Sequence, residues 1–504
     1  MTGCDHGSVA RVAKRVLRAL AALESQPLPV PHPRPELPTG IRVLPHLLAG
    51  GAALLGLVGS TPALGAEAQF EGWYRARGRL FDTLSLDRGL GDRNEQQAAY
   101  LEHRLWLRPR FLVSDAVALN VDFLGLNNVV WGNRPGVVTS YIDNPPQTFG
   151  QTLVPPPATS DDQLNPGFAL WRAWGDFETP IGRFTIGRMP LHWGTGMMFN
   201  DGVHTAPHFA DYGDTADRVQ WEMLIRDQFV VQAAAEINSE GFVSDPDETV
   251  DDRAAYSLVT AYRSEDITGG LLLRLDRSPS QSFTLFTANG SVDAQLGKLH
   301  AAAEVAGQFG SGDLDNGLNE ASVMGIGAVL EADLDLDVWS IELQGGLATG
   351  DGDDTDQRVR TFTFDRDYSV GLMMFEQPMP VLAAVAPSEL NLGRSYEATL
   401  SDPGISNALF VKPRLRRKLI EGLHADVSWL GARTAKMPER FALRRSYGME
   451  IGLGLQYTGV EHVDVRLDGA AFMPGTFYSE YADDTFTGFG DTAFGVQLST
   501  RIHF

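Results

Sequence analysis

The chain has 504 residues, a formal net charge of −23 and a hydrophobic fraction of 43%. This acidic balance excludes a protein that binds nucleic acid through its charge, because phosphates require a basic surface. The single cysteine, Cys4, excludes a disulfide framework and a cysteine metal cluster within the chain. The length fits either several soluble domains or one large β-barrel.

The N-terminal region is typical of a targeting segment. Residues 1–40 are basic and then proline-rich, which fits either an extended leader or a start site placed too far upstream. Residues 43–58 are apolar, and Ala66, Glu67 and Ala68 fit the A-x-A cleavage pattern of a secretory signal. The apolar run is too short for a transmembrane helix, which needs about 20 residues. We therefore predict a signal peptide over residues 41–68, cleaved near Ala68, and a barrel domain over residues 69–504.

Apolar and polar residues alternate with a period of two in many short runs between Phe70 and Phe504. Runs of about ten residues with this period are typical of transmembrane strands, which turn one face to lipid and one to the lumen. Such strands must close into a barrel, because an open edge would leave backbone groups unsatisfied in lipid. Counting the runs predicts an all-β, antiparallel transmembrane barrel of about 18 strands, with about 16 or 20 as alternatives.

The last run is the clearest of these strands. Its apolar face is formed by Phe494, Val496, Leu498, Thr500, Ile502 and Phe504. A terminal strand that ends on an aromatic residue resembles the C-terminal signal recognised by the barrel-insertion machinery. We therefore predict the outer membrane of a Gram-negative bacterium, with lipid and lipopolysaccharide around the barrel. Another run has Tyr447 and Tyr457 at its ends, which predicts aromatic girdles at both membrane interfaces.

Short turns and long loops are predicted to alternate along the chain. The short turns, expected on the periplasmic side, fall at 113–115, 179–182, 420–423 and 459–462. The long loops, expected outside, fall at 84–97, 131–165, 199–216, 238–252, 310–320, 377–405 and 474–488. Several of the loops are rich in Asp, Asn, Gly and Pro, as connecting segments usually are.

Three strands carry basic residues at alternate positions, which places each set on one face of its strand. The members of these ladders are Arg75, Arg77 and Arg79, then Arg104, Arg108 and Arg110, then Lys412, Arg414, Arg416 and Lys418. A Lys or Arg that faces lipid at mid-bilayer costs about 2–4 kcal/mol, so the ladders should face the lumen. Closure of the barrel would place Arg501 beside the first ladder.

The ladders have two interpretations. In the first, they form a basic lane that attracts anions and grips carboxylates in bidentate fashion. In the second, inward carboxylates pair with the arginines and fill the lumen. The candidate partners are Glu102, Asp122, Asp176, Glu222, Glu450 and Asp468.

A constriction is predicted where Gly and Pro interrupt a strand at 187–196 and an acidic turn follows at 211–218. The candidate residues are Arg188, His192, Trp193, Asp211 and Asp214. Two alternatives remain open. His192 could be a structural histidine beside Trp193, and the acidic turn could hold an ion.

Asp351, Asp353, Asp354 and Asp356 lie in one short acidic stretch. Oxygen ligands at this density suit Ca²⁺, although the Glu at position 12 of an EF-hand loop is missing. The stretch is therefore a candidate Ca²⁺ site or a solvated acidic loop. The chain lacks the G-x-S-x-G, H-E-x-x-H and P-loop motifs, so we predict a protein that is not an enzyme and has no other cofactor.

Stretches 100–109, 187–194 with 211–214, and 363–368 together resemble a family of large, largely uncharacterised outer-membrane proteins similar to alginate-export barrels. The resemblance implies an 18-stranded barrel with an arginine-rich, anion-selective lumen, and it does not assign alginate as cargo. The predicted function is a porin-like channel for polar, mainly anionic solutes. The alternative is a plugged structural or surface-binding barrel with cation-binding acidic loops.

Overall fold

The computed structural model describes residues 67–84, 86, 97–133, 168–203, 208, 210, 213–238, 253–278, 282–314, 318–352, 356–377, 404–436, 445–479 and 490–504. The predicted leader and most of the predicted signal peptide lie outside these ranges. Glu67 and Ala68, at the predicted cleavage point, are the first two residues of the first strand. Within these ranges no helix is long and apolar enough to cross a membrane, a finding that does not bear on strands.

Nearly all of the described chain is β-strand. The strands are β1 (Glu67–Asp82), β2 (Gln97–Ser114), β3 (Val117–Asn133), β4 (Phe168–Thr179), β5 (Gly182–Pro190), β6 (Thr215–Ile225), β7 (Phe229–Asn238), β8 (Arg253–Arg263), β9 (Ile267–Ser278), β10 (Phe283–Leu296), β11 (Leu299–Leu314), β12 (Leu318–Leu336), β13 (Trp339–Ala348), β14 (Arg358–Val359), β15 (Ala408–Ile420), β16 (Leu423–Thr434), β17 (Ser446–Val460), β18 (Val463–Pro474) and β19 (Ala493–His503). One short helix, α1 (Thr476–Ser479), precedes β19.

The strands form one closed antiparallel barrel. Each long strand pairs with its neighbours in sequence, and β1 pairs with both β2 and β19. The two-residue strand β14 pairs in parallel with β12, while β13 pairs directly with β15. Of the nineteen strands in the described ranges, eighteen therefore form the wall, which confirms the predicted fold.

The closing strand meets the first strand at the C-terminal residue. Gly72 N donates to Phe504 O at 2.9 Å and Phe504 N donates to Gly72 O at 3.0 Å. A Cβ on Gly72 would lie 2.8 Å from the Phe504 ring, so the glycine leaves the space that this ring occupies. The C-terminal residue Phe504 therefore takes part in closing the barrel wall.

Connections at one end of the barrel are short, and this end is called the turn end. The predicted turns are confirmed there, with Asp115–Ala116 joining β2 to β3 and similar two-residue links after β4, β15 and β17. The opposite end is called the loop end. One predicted long loop, 310–320, is wrong. Strands β11 and β12 stay paired as far as Leu314 and Leu318, because a bulge between Gly312 and Leu314 lets the ladder continue.

The outer face of the wall is apolar and the inner face is largely polar. On β19, Val496 and Leu498 are 44% and 49% exposed, whereas Gln497 and Ser499 are fully buried. The same alternation holds on β17, where Leu453 is exposed and Glu450 is buried. An apolar band that faces outward on every side suits lipid, as the sequence pattern predicted.

The girdle prediction is wrong for Tyr447 and agrees with the structure for Tyr457. Gly448 has φ of +117° and forms a bulge, at which the register with β16 skips Tyr447. An extra residue in a strand inverts the alternation of side chains beyond it. Tyr447 therefore points into the barrel and is fully buried, whereas Tyr457 is 37% exposed on the outer face.

Candidate functional site: two loops folded into the lumen

Two connections at the loop end fold into the barrel. The first inward loop comprises residues 191–203, 208, 210 and 213–214 between β5 and β6. The second inward loop comprises residues 356–377 between β13 and β15, with β14 at its start. Met197, Phe199 and Asn200 of the first loop and Phe362 and Met373 of the second are at most 3% exposed.

One end of the first inward loop is fixed to the wall at β10 and β11. Trp193 Nε1 donates to Asn289 Oδ1 at 3.1 Å. Thr195 donates to Glu304 Oε2 from its backbone N and from its hydroxyl, both at 2.8 Å. Asn289 Nδ2 in turn donates to Glu304 Oε1 at 2.7 Å, which holds the carboxylate in place.

The other end of this loop reaches β18 and β19. His208 Nε2 lies 2.8 Å from Asp464 Oδ2, and His208 Nδ1 lies 3.0 Å from Ser499 Oγ. Since β10 and β11 lie far around the wall from β18 and β19, the first inward loop crosses the lumen. This is the position of a constriction.

The first two arginine ladders hold this loop through its backbone. Arg75 Nη1 donates to Ala210 O at 2.8 Å, and Arg104 Nη1 donates to the same oxygen at 3.4 Å. Arg77 Nη1 donates to His208 O at 3.1 Å. Guanidinium groups have five donors in a fixed fork, so they can bind carbonyls and carboxylates together.

Arg172 on β4 is a further anchor that sequence reasoning missed. It is fully buried, and it donates to Asp214 O at 2.8 Å, Asp201 O at 3.2 Å and Thr215 Oγ1 at 2.8 Å. Its Nη1 lies 3.4 Å from Asp122 Oδ2. The signal that could have revealed it is its place beside Trp171 in a strand whose other charges are acidic.

Carboxylates pair with several of the ladder arginines. Arg77 Nη2 lies 2.6 Å from Glu102, and Arg108 Nε lies 2.6 Å from Asp122. The third ladder is paired in the same way, because Arg414 bridges Glu342 at 2.8 Å and Asp426 at 3.1 Å. In the part of the lumen lined by these residues, the basic charge is therefore largely neutralised.

Tryptophan rings fill the spaces between the arginines of β1, β2 and β4. Trp73, Trp106 and Trp171 form one buried cluster. The Arg172 guanidinium carbon lies 3.5 Å from the Trp171 ring centre, and that of Arg108 lies 4.7 Å from the Trp106 ring centre. Such cation–π contacts fix long side chains against the wall. Trp73 and Trp106 alternate with the ladder arginines on β1 and β2, and the structure adds Trp171 of β4 to them.

One carboxylate of the wall, that of Glu450, binds several backbone amides of the second inward loop. Glu450 on β17 accepts hydrogen bonds from three successive backbone amides, those of Leu372 at 2.7 Å, Met373 at 3.1 Å and Met374 at 2.7 Å. Lys412 on β15 adds a bond from Nζ to the carbonyl of Val370. Glu450 was predicted as an arginine partner, and the structure gives it this different role.

The lumen near the loop end is apolar. Phe364, Met374 and Phe375 of the second inward loop belong to one buried cluster with side chains of the wall and of α1. The wall and helix members that face them include Phe81, Phe410, Tyr447, Phe472 and Phe477. Barrel interiors are usually polar, so an apolar cluster inside this one shows that the loops pack as a core against the wall.

The lumen nearer the turn end contains charged cavities. One of about 290 Å³ lies beside the second inward loop, and another of about 240 Å³ adjoins it across β12, β13 and β15. Their charged lining residues are His208, His300, Glu331, Asp333, Glu342, Lys412, Arg414, Asp426, Glu450, Asp464, Arg466 and Asp468. This lining contains both signs of charge.

Three inward cations nearby contact neutral groups among the described residues. Arg416 Nη2 donates to Gln456 Oε1 at 2.8 Å. Arg501 lies over Trp73, with its guanidinium carbon 5.1 Å from the ring centre. Lys412 binds the carbonyl of Val370. Among the described residues, none of these three forms an ion pair with a carboxylate, although Glu450 and Asp464 lie close enough to attract Lys412 and Arg501.

The two inward loops meet at a pair of aspartates. Asp365 N donates to Met197 O at 2.7 Å, and the Asp365 side chain is hydrogen-bonded to that of Asp214. Burial raises the pKa of Asp214 to about 8 and holds the pKa of Asp365 well above its ordinary value. These aspartates lie in two of the sequence stretches that carried the family resemblance.

Several predicted residues lie elsewhere. Arg188 is not at the constriction, because it shares the outer face of the wall with Ile186 and pairs with Asp217 at 2.6 Å. His192 Nδ1 lies 3.9 Å from Asp201 Oδ1, inside the first inward loop. Asp211 lies outside the described residues.

The ends of the ladders have local partners. Arg79 Nε donates to Gln497 Oε1 at 2.8 Å inside the barrel. Lys418 pairs with Glu421 at 2.6 Å in an exposed turn, and Arg110 is exposed at the turn end.

The acidic stretch proposed for Ca²⁺ is bridged by an arginine. Arg360 lies 2.9 Å from Asp351 and 2.8 Å from Asp356. Asp353 and Asp354 lie outside the described residues. Within the described ranges no group of three His, Cys, Asp or Glu side chains is arranged to hold a metal ion.

The closed strand order and the apolar outer face define a transmembrane β-barrel with a lumen narrowed by loops. No family model matches the chain, and neither does any curated protein sequence. Solved structures from Pseudomonas aeruginosa have a similar overall form. OpdK with vanillate is 12% identical, with a TM-score of 0.47 and coverage of 86% of this chain and 98% of that one. OccK9 (OpdG) is 12% identical, with a TM-score of 0.49 and coverage of 87% of this chain and 99% of that one. The fold assignment rests on the strand pairing itself.

Proposed function

We propose that this barrel is an outer-membrane channel for small polar solutes, with a preference for anions. The observation that carries the proposal is the first inward loop, which crosses the lumen and is held by Arg75, Arg77, Arg104 and Arg172. A loop fixed across a barrel narrows the passage and sets its size limit. The proposal involves no catalysis and no cofactor.

The anion preference is supported by Lys412, Arg416 and Arg501. Their described contacts are with a carbonyl, an amide and an aromatic ring, so no direct ion pair cancels these charges. Cations in a narrow passage lower the electrostatic barrier for anions. The paired arginines contribute less, because Glu102, Asp122 and the other carboxylates neutralise them.

Location in the outer membrane is part of the same proposal. The apolar outer face suits lipid, with lipopolysaccharide at the loop end, and Phe504 ends the strand that the insertion machinery would recognise. The turn end would then face the periplasm. A relation to alginate-export barrels remains a prediction from the sequence.

The selectivity prediction is tested with purified protein in planar bilayers. In a KCl gradient the reversal potential should indicate anion preference, and Arg416→Gln combined with Arg501→Gln should reduce it. Removing two cations from a narrow passage weakens the attraction for anions, whereas Arg183→Gln in an exposed turn pair should have no effect. The proposed selectivity would be contradicted if the parent protein prefers cations and the double variant shows the same preference.

A plugged barrel is the second candidate, and the apolar cluster at the loop end favours it. In this alternative the purified protein does not conduct, and the acidic loop engages a divalent cation or a partner at the surface. Ca²⁺ would then raise the temperature of unfolding in detergent, and Asp353→Ala would abolish that shift. This candidate is excluded if the purified protein conducts steadily and Ca²⁺ does not raise its temperature of unfolding.

A further inference from the structure

Asp214 and Asp365 connect the two inward loops. Asp214 closes the first loop directly before β6, and Asp365 lies in the second. They are 4% and 3% exposed, and their side chains share a hydrogen bond. Two carboxyl groups can share a hydrogen bond only while at least one of them keeps its proton.

Neighbouring donors leave room for one negative charge in this pair. Asn200 N donates to Asp214 Oδ2 at 3.1 Å, and Asp367 N donates to Asp365 Oδ1 at 2.8 Å. Two ionised carboxylates at hydrogen-bond distance repel strongly in a buried site, so the second proton is held to a higher pH.

The charged groups that face the pair are of both signs. Arg172 of β4 attracts the Asp214 carboxylate, but it also binds Asp122 of β3 and lies near Asp201 of the first loop. Asp367 of the second loop repels both members of the pair. Arg172, which is shared by Asp122, Asp201 and Asp214, therefore does not balance a second negative charge.

Gly213 allows the close approach that this arrangement needs. Its φ of +112° is in the region that favours glycine, and an added Cβ would meet the backbone of Asp201 and the ring of Trp171. Gly213 thus lets the chain pack closely against Asp201 and Trp171 immediately before Asp214.

We propose that Asp214 and Asp365 form a proton-dependent latch that joins the two inward loops inside the barrel. The latch holds while the pair shares a proton, and it releases when both groups ionise. Release would separate the loops and widen the passage between them. The inference goes beyond the proposed function, although its effect on conductance rests on that function.

The direction of the pH dependence follows from the raised pKa values. A carboxyl group whose pKa is higher in the folded protein stabilises the fold at low pH and loses this contribution as the pH rises through the folded value. The stabilisation of the contact between the loops should therefore be complete below the ordinary aspartate pKa of about 4. It should decrease as the pH rises and be lost once the pH has passed the raised pKa values of the pair.

Hydrogen exchange of the purified barrel in detergent micelles, corrected for the intrinsic pH dependence, tests the latch directly. Exchange at residues 196–200 and 363–368 should rise with pH, by at most about tenfold per pH unit, while the closed pair keeps a proton that the opened pair loses. It should level off once both carboxyl groups are ionised in the closed state as well. Asp365→Asn and Asp214→Asn should remove this dependence, because an amide keeps a hydrogen bond and does not ionise. Asp217→Asn is the matched control, since Asp217 pairs with Arg188 on the outer face.

A further variant applies if the two asparagine variants do not fold. Asp367→Asn removes a repelling charge, so the transition should move to lower pH. Conductance measured over the same pH range separates the proposed latch from the proposed channel. A pH-dependent exchange without any conductance would contradict the channel and leave the latch standing. Exchange in the parent protein that is independent of pH, or a transition that Asp365→Asn retains, would overturn the latch.

Discussion

Replacing Arg172 with alanine should release the first inward loop and raise the conductance of the barrel. The fully buried guanidinium binds Asp201 O, Asp214 O and Thr215 Oγ1, and it contributes charge beside Asp122. Removing one partner from a buried ionic group typically costs about 3–5 kcal/mol. We expect a larger single-channel conductance and a lower urea midpoint for unfolding from detergent.

The matched control is Arg183→Ala. Arg183 pairs with Glu178 at 2.6 Å, but both side chains are about half exposed at the turn end. Exposed ion pairs contribute only about 0–1 kcal/mol, so this variant should keep the parent conductance and stability. A folded Arg172→Ala protein with parent conductance would show that the loop does not limit the passage.

Glu450→Ala should detach the second inward loop from β17. The carboxylate accepts bonds from the amides of Leu372, Met373 and Met374, all of them inside the barrel. Each buried donor left unsatisfied costs about 1–3 kcal/mol, so this variant should lose more folding stability than an ordinary polar substitution does. Hydrogen exchange at residues 369–376 should become much faster, and the apolar cluster around Phe375 should loosen.

Glu450→Gln separates charge from geometry at this position. Glutamine keeps one acceptor oxygen, so its effect should be intermediate, with part of the exchange protection retained. Glu461→Ala, in an exposed turn at the other end of the barrel, is the control and should change neither measurement. Equal protection in Glu450→Ala and in the parent would mean that the apolar contacts alone hold the loop.

The sequence predicted the wall because strand alternation is local. A period of two, repeated between turn residues, assigns both faces of a strand without knowledge of its neighbours, as on β19 from Phe494 to Phe504. The requirement that no strand edge face lipid then forces closure. Local breaks in the pattern were harder to foresee, since the bulge at Gly448 turned Tyr447 inward and the sequence alone did not mark it.

The candidate site was predicted in part. The ladders through Arg75 and Arg104 were correctly placed on the inner face, because charge on the lipid side is costly. What these arginines bind was not predicted, since Ala210 and His208 reach them only through the path of a loop. Arg188 was misplaced because the strand continues through the region where Gly and Pro had suggested a break.

By itself, the sequence determined that this chain forms a barrel of about 18 strands with basic ladders inside and an aromatic terminus in its closing strand. Only the tertiary structure decided how the lumen is filled. It folded two distant connections inward, placed Arg172 and Glu450 as their anchors, and brought Asp214 against Asp365. The physical reason is the distance along the chain over which each feature is determined. Strand faces follow from neighbouring residues, whereas the contacts of a loop depend on which parts of the wall it can reach after the barrel has closed.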